Sequence, residues 1–180
     1  MILENKKLVF VHAPRTSGTS IEKAILNGLV QDSMKHLKAS QYKKMIGNLQ
    51  WESYYKFSIV RNPWDRVISM YHQKYFQDIG IRSGKSLKYF LSNYTPAPWE
   101  HGIQCSDYID EKLNLIIKYE NRVEGLNLLY EQTGIFVDSN ISERSDNRTD
   151  KDYKKFYDSE TIEIVKNMFY NDIQNFNYDF

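Results

Sequence analysis

Lys7-Leu8-Val9-Phe10-Val11-His12-Ala13-Pro14-Arg15-Thr16-Ser17-Gly18-Thr19-Ser20-Ile21-Glu22-Lys23-Ala24-Ile25-Leu26 is the stretch that decides the fold. Residues 7–11 form a short apolar run rich in β-formers, the pattern of a buried strand. Ala13-Pro14 stops it, and a polar turn follows over residues 15–20. Apolar residues at 21, 24, 25 and 26 then fit one face of a helix that Gly28 closes. The opening of the chain therefore reads strand, tight turn, helix.

The same pattern recurs. Phe57-Ser58-Ile59-Val60 reads as a strand, and Asn62-Pro63 as an N-cap followed by proline at the first helical position. The helix is expected over residues 64–77, with Val67, Ile68, Tyr71 and Tyr75 on one face. Ser40 is placed to cap a helix over 41–46, a third strand is expected over 113–119, and a helix over 122–132 ends at Gly134. Residues 138–152 are polar and read as a long loop. A last helix is expected over 159–176. Strands alternating with helices predict an α/β fold, a mostly parallel central sheet flanked by helices. Ligands of such sheets bind beyond the carboxyl ends of the strands, so the turns at 13–20 and 61–63 should share that edge.

The whole chain, 180 residues, has the length of one domain of about 100–200 residues, and residues 1–180 are expected to form a single domain. Hydrophobic residues are 41% and charged residues 26%, which excludes wholesale disorder. The net charge of +1 argues against a dedicated nucleic-acid binder, which carries a strong basic excess. One cysteine, Cys105, leaves no internal disulfide and no multi-cysteine zinc site, and fits a reducing compartment. No apolar run approaches the roughly 20 residues of a membrane span. Neither an anchor nor a signal peptide is read at the N-terminus, so a cytoplasmic location is expected.

Two turns carry the chemistry. A helix N-terminus presents unsatisfied N–H groups and a partial positive charge. In residues 13–20, Gly18 permits close approach of an anion, Thr16, Ser17, Thr19 and Ser20 add hydroxyls, and Arg15 adds a planar cationic fork. The plainer alternative is a polar turn before a capped helix. A Walker A loop is not matched, because Thr19 stands where its lysine belongs and its first glycine is missing. In the second turn, Arg61 leaves a strand end and Ser69 lies on the following helix, close enough for both to hold one anionic group. Asp65 and Arg66 read as a solvated salt-bridge face. Two anion sites on one edge suit a ligand with two separate phosphates.

With these residues in hand, the chain resembles the PAPS-dependent sulfotransferases, in style the carbohydrate and heparan-sulfate 2-O-sulfotransferases. Residues 10–20 are similar to the family's 5′-phosphosulfate loop, which usually reads Pro-Lys-Thr-Gly-Gly-Thr-Ser. Val60-Arg61-Asn62-Pro63-Trp64-Asp65-Arg66-Val67-Ile68-Ser69-Met70-Tyr71 looks like its 3′-phosphate motif. Tyr119-Glu120-Asn121, Asn147-Arg148-Thr149, Tyr153 and Phe156-Tyr157-Asp158 match in style along the tail.

The resemblance implies a P-loop-like sulfotransferase fold and transfer of a sulfuryl group from PAPS to a hydroxyl of a glycan or small molecule, releasing PAP. It implies that Arg15, Thr16, Ser17, Gly18, Thr19, Ser20, Arg61, Ser69, Arg148 and Thr149 hold the nucleotide, with Ser142 and Arg144 as alternatives in the loop. It also implies that no metal is required. The family's catalytic lysine is replaced by Arg15, which keeps the charge but is a poor proton donor, so its role is electrostatic. His36 stands where the 2-O group has its catalytic histidine and suits a general base. A surface histidine in a basic turn is the alternative, and Glu120 is the second candidate base. His12 and His72 read as packing groups, His101 lies in a stretch that borders the acceptor, and Trp64 is either an adenine platform or buried packing. Two rival functions remain at this level: a nucleotide-dependent kinase with a divergent loop, and a non-catalytic module that binds PAP or another polyphosphate.

Overall fold

The computed structural model describes residues 1–28, 35–98, 100–138 and 152–180. Its strands are β1 (Ile2–Leu3), β2 (Leu8–Val11), β3 (Tyr55–Val60) and β4 (Leu115–Lys118). Its helices are α1 (Gly18–Ile25), α2 (Ala39–Ile46), α3 (Asn48–Ser53), α4 (Pro63–Tyr71), α5 (Leu87–Asn93), α6 (Arg122–Thr133), α7 (Ser159–Met168) and α8 (Tyr170–Phe176). The strands form one sheet in the order β1-β2-β3-β4. β2, β3 and β4 are parallel, with Phe10 opposite Phe57 and Phe57 opposite Leu115, and the two-residue β1 runs antiparallel to β2. This is the expected α/β class with a mostly parallel central sheet.

Alternation along the strands supplies both faces of the sheet. Leu8, Phe10, Phe57, Ile59 and Ile117 pack with Ile21 and Ile25 of α1 and Leu126 and Leu129 of α6. Val9, Val11 and Val60 pack with Tyr42 of α2, Trp51 of α3, Cys105 and Tyr108. A third cluster joins Val67, Ile68 and Met70 of α4 to Leu87 and Phe90 of α5 and Val165 of α7. The parallel register brings the ends of β2, β3 and β4 to a common edge, from which residues 12–17, 61–62 and 119–121 emerge.

Several boundaries differ from the sequence expectation. The helix expected to reach Gln77 stops at Tyr71, because Gln73 turns extended (φ −73°, ψ 138°) and a short 3₁₀ turn takes up Lys74–Phe76. Tyr75 is accordingly exposed rather than on the buried face. The closing helix breaks into α7 and α8 at Phe169 (φ −116°, ψ 29°), and its cap is Asp158 rather than Ser159. The backbone N–H and hydroxyl of Ser40 both donate to Asp110, so this residue lies inside α2 instead of capping it. The strand β1 and the helices α3 and α5 carry too few periodic positions to announce themselves. Gly134 ends α6 as expected, in the left-handed region at φ 70°, with its N–H bonded to the Tyr130 carbonyl.

Asn62 caps α4 as expected, accepting from the N–H groups of Trp64 and Asp65 while its own amide donates to the Asp179 carbonyl. Asn62→Ala should lower unfolding free energy by about 1–2 kcal/mol. Urea denaturation checks this; a midpoint equal to that of the wild type refutes the assigned role.

Candidate functional site

The turn between β2 and α1 is built by withdrawing its carbonyls. The His12 carbonyl accepts from His36 Nδ1 at 3.0 Å, and the Ala13 carbonyl from the Thr16 hydroxyl at 2.8 Å. The Pro14 carbonyl accepts from Arg66 Nε at 2.8 Å and the Arg15 carbonyl from Arg61 Nη1 at 3.3 Å. In a trans peptide the carbonyl and the following N–H point in opposite directions. Fixing these oxygens on the protein side therefore turns the N–H groups of Arg15 and Thr16 the other way. Arg15 and Ser17 hold left-handed backbone, at φ 65° and 69°. Such alternation of handedness makes successive amides converge into a concavity suited to an anion. The amides of Thr16, Ser17, Gly18 and Thr19 donate to no backbone carbonyl among the described residues. They sit where α1 begins, so the helix dipole adds to their charge.

Gly18 is required here by contact rather than by φ. A Cβ on it would fall 1.9 Å from the His12 ring. His12 is buried, stacks on Phe10 and engages Glu22 Oε1 through Nδ1 at 3.0 Å. Burial lowers its pKa, so the neutral ring is favoured.

Arg15, Arg61 and Ser69 come together at this edge. Arg15 donates from Nε and Nη2 to the Ser69 hydroxyl, at 2.9 and 2.6 Å, and from Nη2 to the Ser69 carbonyl at 3.3 Å. The two residues are 54 apart in sequence. Arg61 donates through Nε to Asp65 Oδ2 at 2.7 Å and lies 4.4 Å from the centre of the Tyr119 ring. The serine expected beside Arg61 is thus held by Arg15, while Arg61 is braced by Asp65 and Tyr119.

Arg66 overturns the expectation of a solvated face. It is 1% exposed, donates to the Pro14 and Ile103 carbonyls and has Asp172 at 4.0 Å. Its partners come from three distant segments, and a buried cation of this kind is tolerated because those acceptors replace water. Asp65 is also buried. Glu120 is committed structurally: one oxygen accepts from the Asn62 N–H and the other from the Tyr178 hydroxyl. Trp64 is buried and donates to the Ile162 carbonyl, which makes it packing rather than a platform. His72 packs against Tyr71 and Phe156, and His101 is exposed. Arg148, Thr149, Ser142 and Arg144 lie outside the described residues. Sequence reasoning missed Glu22, Tyr119 and the anchoring role of Arg66. A glutamate inside the first helix was the only available signal for Glu22.

His36 sits beside His12, with ring centroids 4.4 Å apart, and its backbone is left-handed at φ 61°. A carbonyl only accepts, so the bond to the His12 oxygen fixes the proton on Nδ1 and leaves Nε2 as the basic nitrogen. Burial, followed by the nearby His12, pushes its pKa down to about 3. Among the described residues, no group of three or more His, Cys, Asp or Glu is placed to hold a metal ion. No helix among them is long and apolar enough to cross a membrane.

An amide-lined strand-to-helix turn and a second turn carrying Arg61 thus open on one edge of a mostly parallel sheet. A sequence model described as the Sulfotransferase family matches residues 1–179, and the chain belongs to that family. Searches of curated proteins and of solved structures give no significant match.

An unfolded histidine titrates near 6.5. Below that pH the unfolded chain binds a proton that folded His36 refuses until about pH 3, so stability falls as pH drops. Melting temperature should decline between pH 7 and pH 5, and His36→Gln should flatten that decline. Identical slopes in both proteins refute the assignment.

Proposed function

We propose that the chain is a single sulfotransferase domain that moves a sulfuryl group from PAPS to a hydroxyl acceptor of the glycan or small-molecule class. The withdrawal of the loop carbonyls of residues 12–15 carries this reading, since it leaves an amide-lined turn whose own oxygens are held away from an incoming anion. The donor set fits the nucleotide: amides and hydroxyls of residues 16–20 for the 5′-phosphosulfate, and Arg61 and Ser69 for the 3′-phosphate. Arg148 and Thr149 complete the proposed set. When bound, PAPS supplies the sulfuryl group and a good leaving phosphate.

The protein's part in the reaction follows from charge. As the acceptor oxygen bonds to sulfur and the sulfur–oxygen bond to PAP breaks, negative charge grows on the departing oxygen. Arg15 stabilises that charge without giving up a proton. His36 Nε2 takes the acceptor's proton. Its basicity is low in the free protein, and the negative charge of a bound donor raises it.

Thermal shifts with PAP, ATP and ATP–Mg²⁺ test the donor. PAP alone should stabilise, by about 2.7 kcal/mol at a hundredfold excess over Kd. Arg61→Ala should weaken PAP binding by about 1.5–3 kcal/mol. Arg15→Ala should lower turnover by about 10²–10³-fold while changing PAP affinity less. Stabilisation by ATP–Mg²⁺ with none from PAP refutes the proposal.

A further inference from the structure

Glu22 is fully buried on α1, in the heart of the fold and away from solvent. Its Oε1 engages His12 Nδ1 at 3.0 Å, and its Oε2 has no hydrogen-bond partner among the described residues. A buried carboxylate with one oxygen unbonded is costly, and an unsatisfied group of this kind calls for an explanation. Around it lie the His12 ring and, within electrostatic reach, the Met1 amino group and Tyr42; beyond the His12 ring is His36. His12 presents its carbonyl to His36 Nδ1 at 3.0 Å and its ring to the His36 ring at 4.4 Å. The His12 ring is fixed on its other sides by Phe10, stacked at 5.6 Å, and by Gly18, where no side chain would fit. The contacts thus form one chain, from Glu22 to His12 to His36.

From this geometry we infer that Glu22 and His12 are positioning residues, which hold the His36 imidazole in the one tautomer and orientation able to accept the proton of the sulfuryl acceptor. The inference rests on the reading of His36 as the base. Glu22 accepts the His12 Nδ1 proton and so settles how that ring turns. The His12 backbone offers a carbonyl to His36 Nδ1, which sets the tautomer, and the fixed His12 ring offers a wall to the His36 ring, which sets its orientation. His36 Nε2 is then the nitrogen left with a lone pair. Its strained backbone, at φ 61°, is the kind of conformation that persists only where neighbours over-determine it.

Nitrogen-15 correlation spectra of the imidazole rings, recorded above pH 7, test the arrangement without relying on activity. In the wild type, His36 and His12 should each show a proton on Nδ1 alone. Glu22→Ala should release the His12 ring that backs His36, shift the His36 imidazole signals and lower kcat roughly tenfold or more, within the range a general base supplies, with KM for PAPS nearly unchanged. Glu22→Gln keeps an acceptor oxygen for His12 Nδ1, and should restore the wild-type His36 signals and most of kcat. It also guards the test against a Glu22→Ala protein that fails to fold. A wild-type His36 protonated on Nε2 overturns the inference. So does a folded Glu22→Ala protein with an unchanged His36 spectrum, whatever its rate. The base reading is decided separately: His36→Ala should lower kcat by about 10²–10⁴-fold, and an unchanged rate removes that reading while the spectra still report whether Glu22 and His12 hold the ring.

Discussion

The site depends on where four consecutive carbonyl oxygens go. A peptide cannot offer its N–H to an anion while its neighbour's oxygen competes for the same space, and a buried oxygen must itself be satisfied. The oxygens of residues 12–15 are taken by four side chains, His36, Thr16, Arg66 and Arg61, from three parts of the chain. The left-handed backbone at Arg15 and Ser17 costs about 1–2 kcal/mol per residue. It is maintained because each neighbouring carbonyl is tied down. The parallel sheet is what makes this possible: it puts Arg61, at the end of β3, and Arg66, in the first turns of α4, next to the end of β2.

How much of this the sequence reveals follows from the range of each interaction. Leu8–Val11, Asn62-Pro63 and Gly134 act through their immediate neighbours, so the strands, the helix cap and the helix end are all legible locally. The strand-to-helix turn at residues 13–17 is legible for the same reason, because small polar residues between an apolar run and a helical pattern act locally. Arg66 is illegible. An arginine one turn after the Asn62 cap looks solvated, and only Pro14, Ile103 and Asp172 together make it a core residue.

The pairing of His12 with Glu22 is intermediate in range. The two residues are 10 apart, close enough to be in the same strand-turn-helix unit. Their meeting nonetheless depends on how the helix folds back over the strand end, and periodicity does not encode that. The exchange of partners at Ser69 is further out of reach. From the sequence, Arg61 and Ser69 belong to one motif on one helix start, and nothing local says that the Arg15 side chain spans 54 residues of sequence to reach the same hydroxyl.

That contact gives the arginine at position 15 a physical meaning that a lysine there would not have. An ammonium is a point charge on a flexible stem, whereas a guanidinium is a rigid fork that can place two N–H groups on one oxygen. Here Nε and Nη2 both donate to Ser69 Oγ, at 2.9 and 2.6 Å. A hydroxyl has two acceptor positions and one proton. With both acceptor positions filled, the Ser69 hydroxyl enters any other bond only as a donor. The arginine therefore does two things through one contact: it ties the turn after β2 to the helix α4, and it sets the serine hydroxyl to donate rather than accept. The cation and the hydroxyl are thereby joined, although they arise on separate elements of the fold.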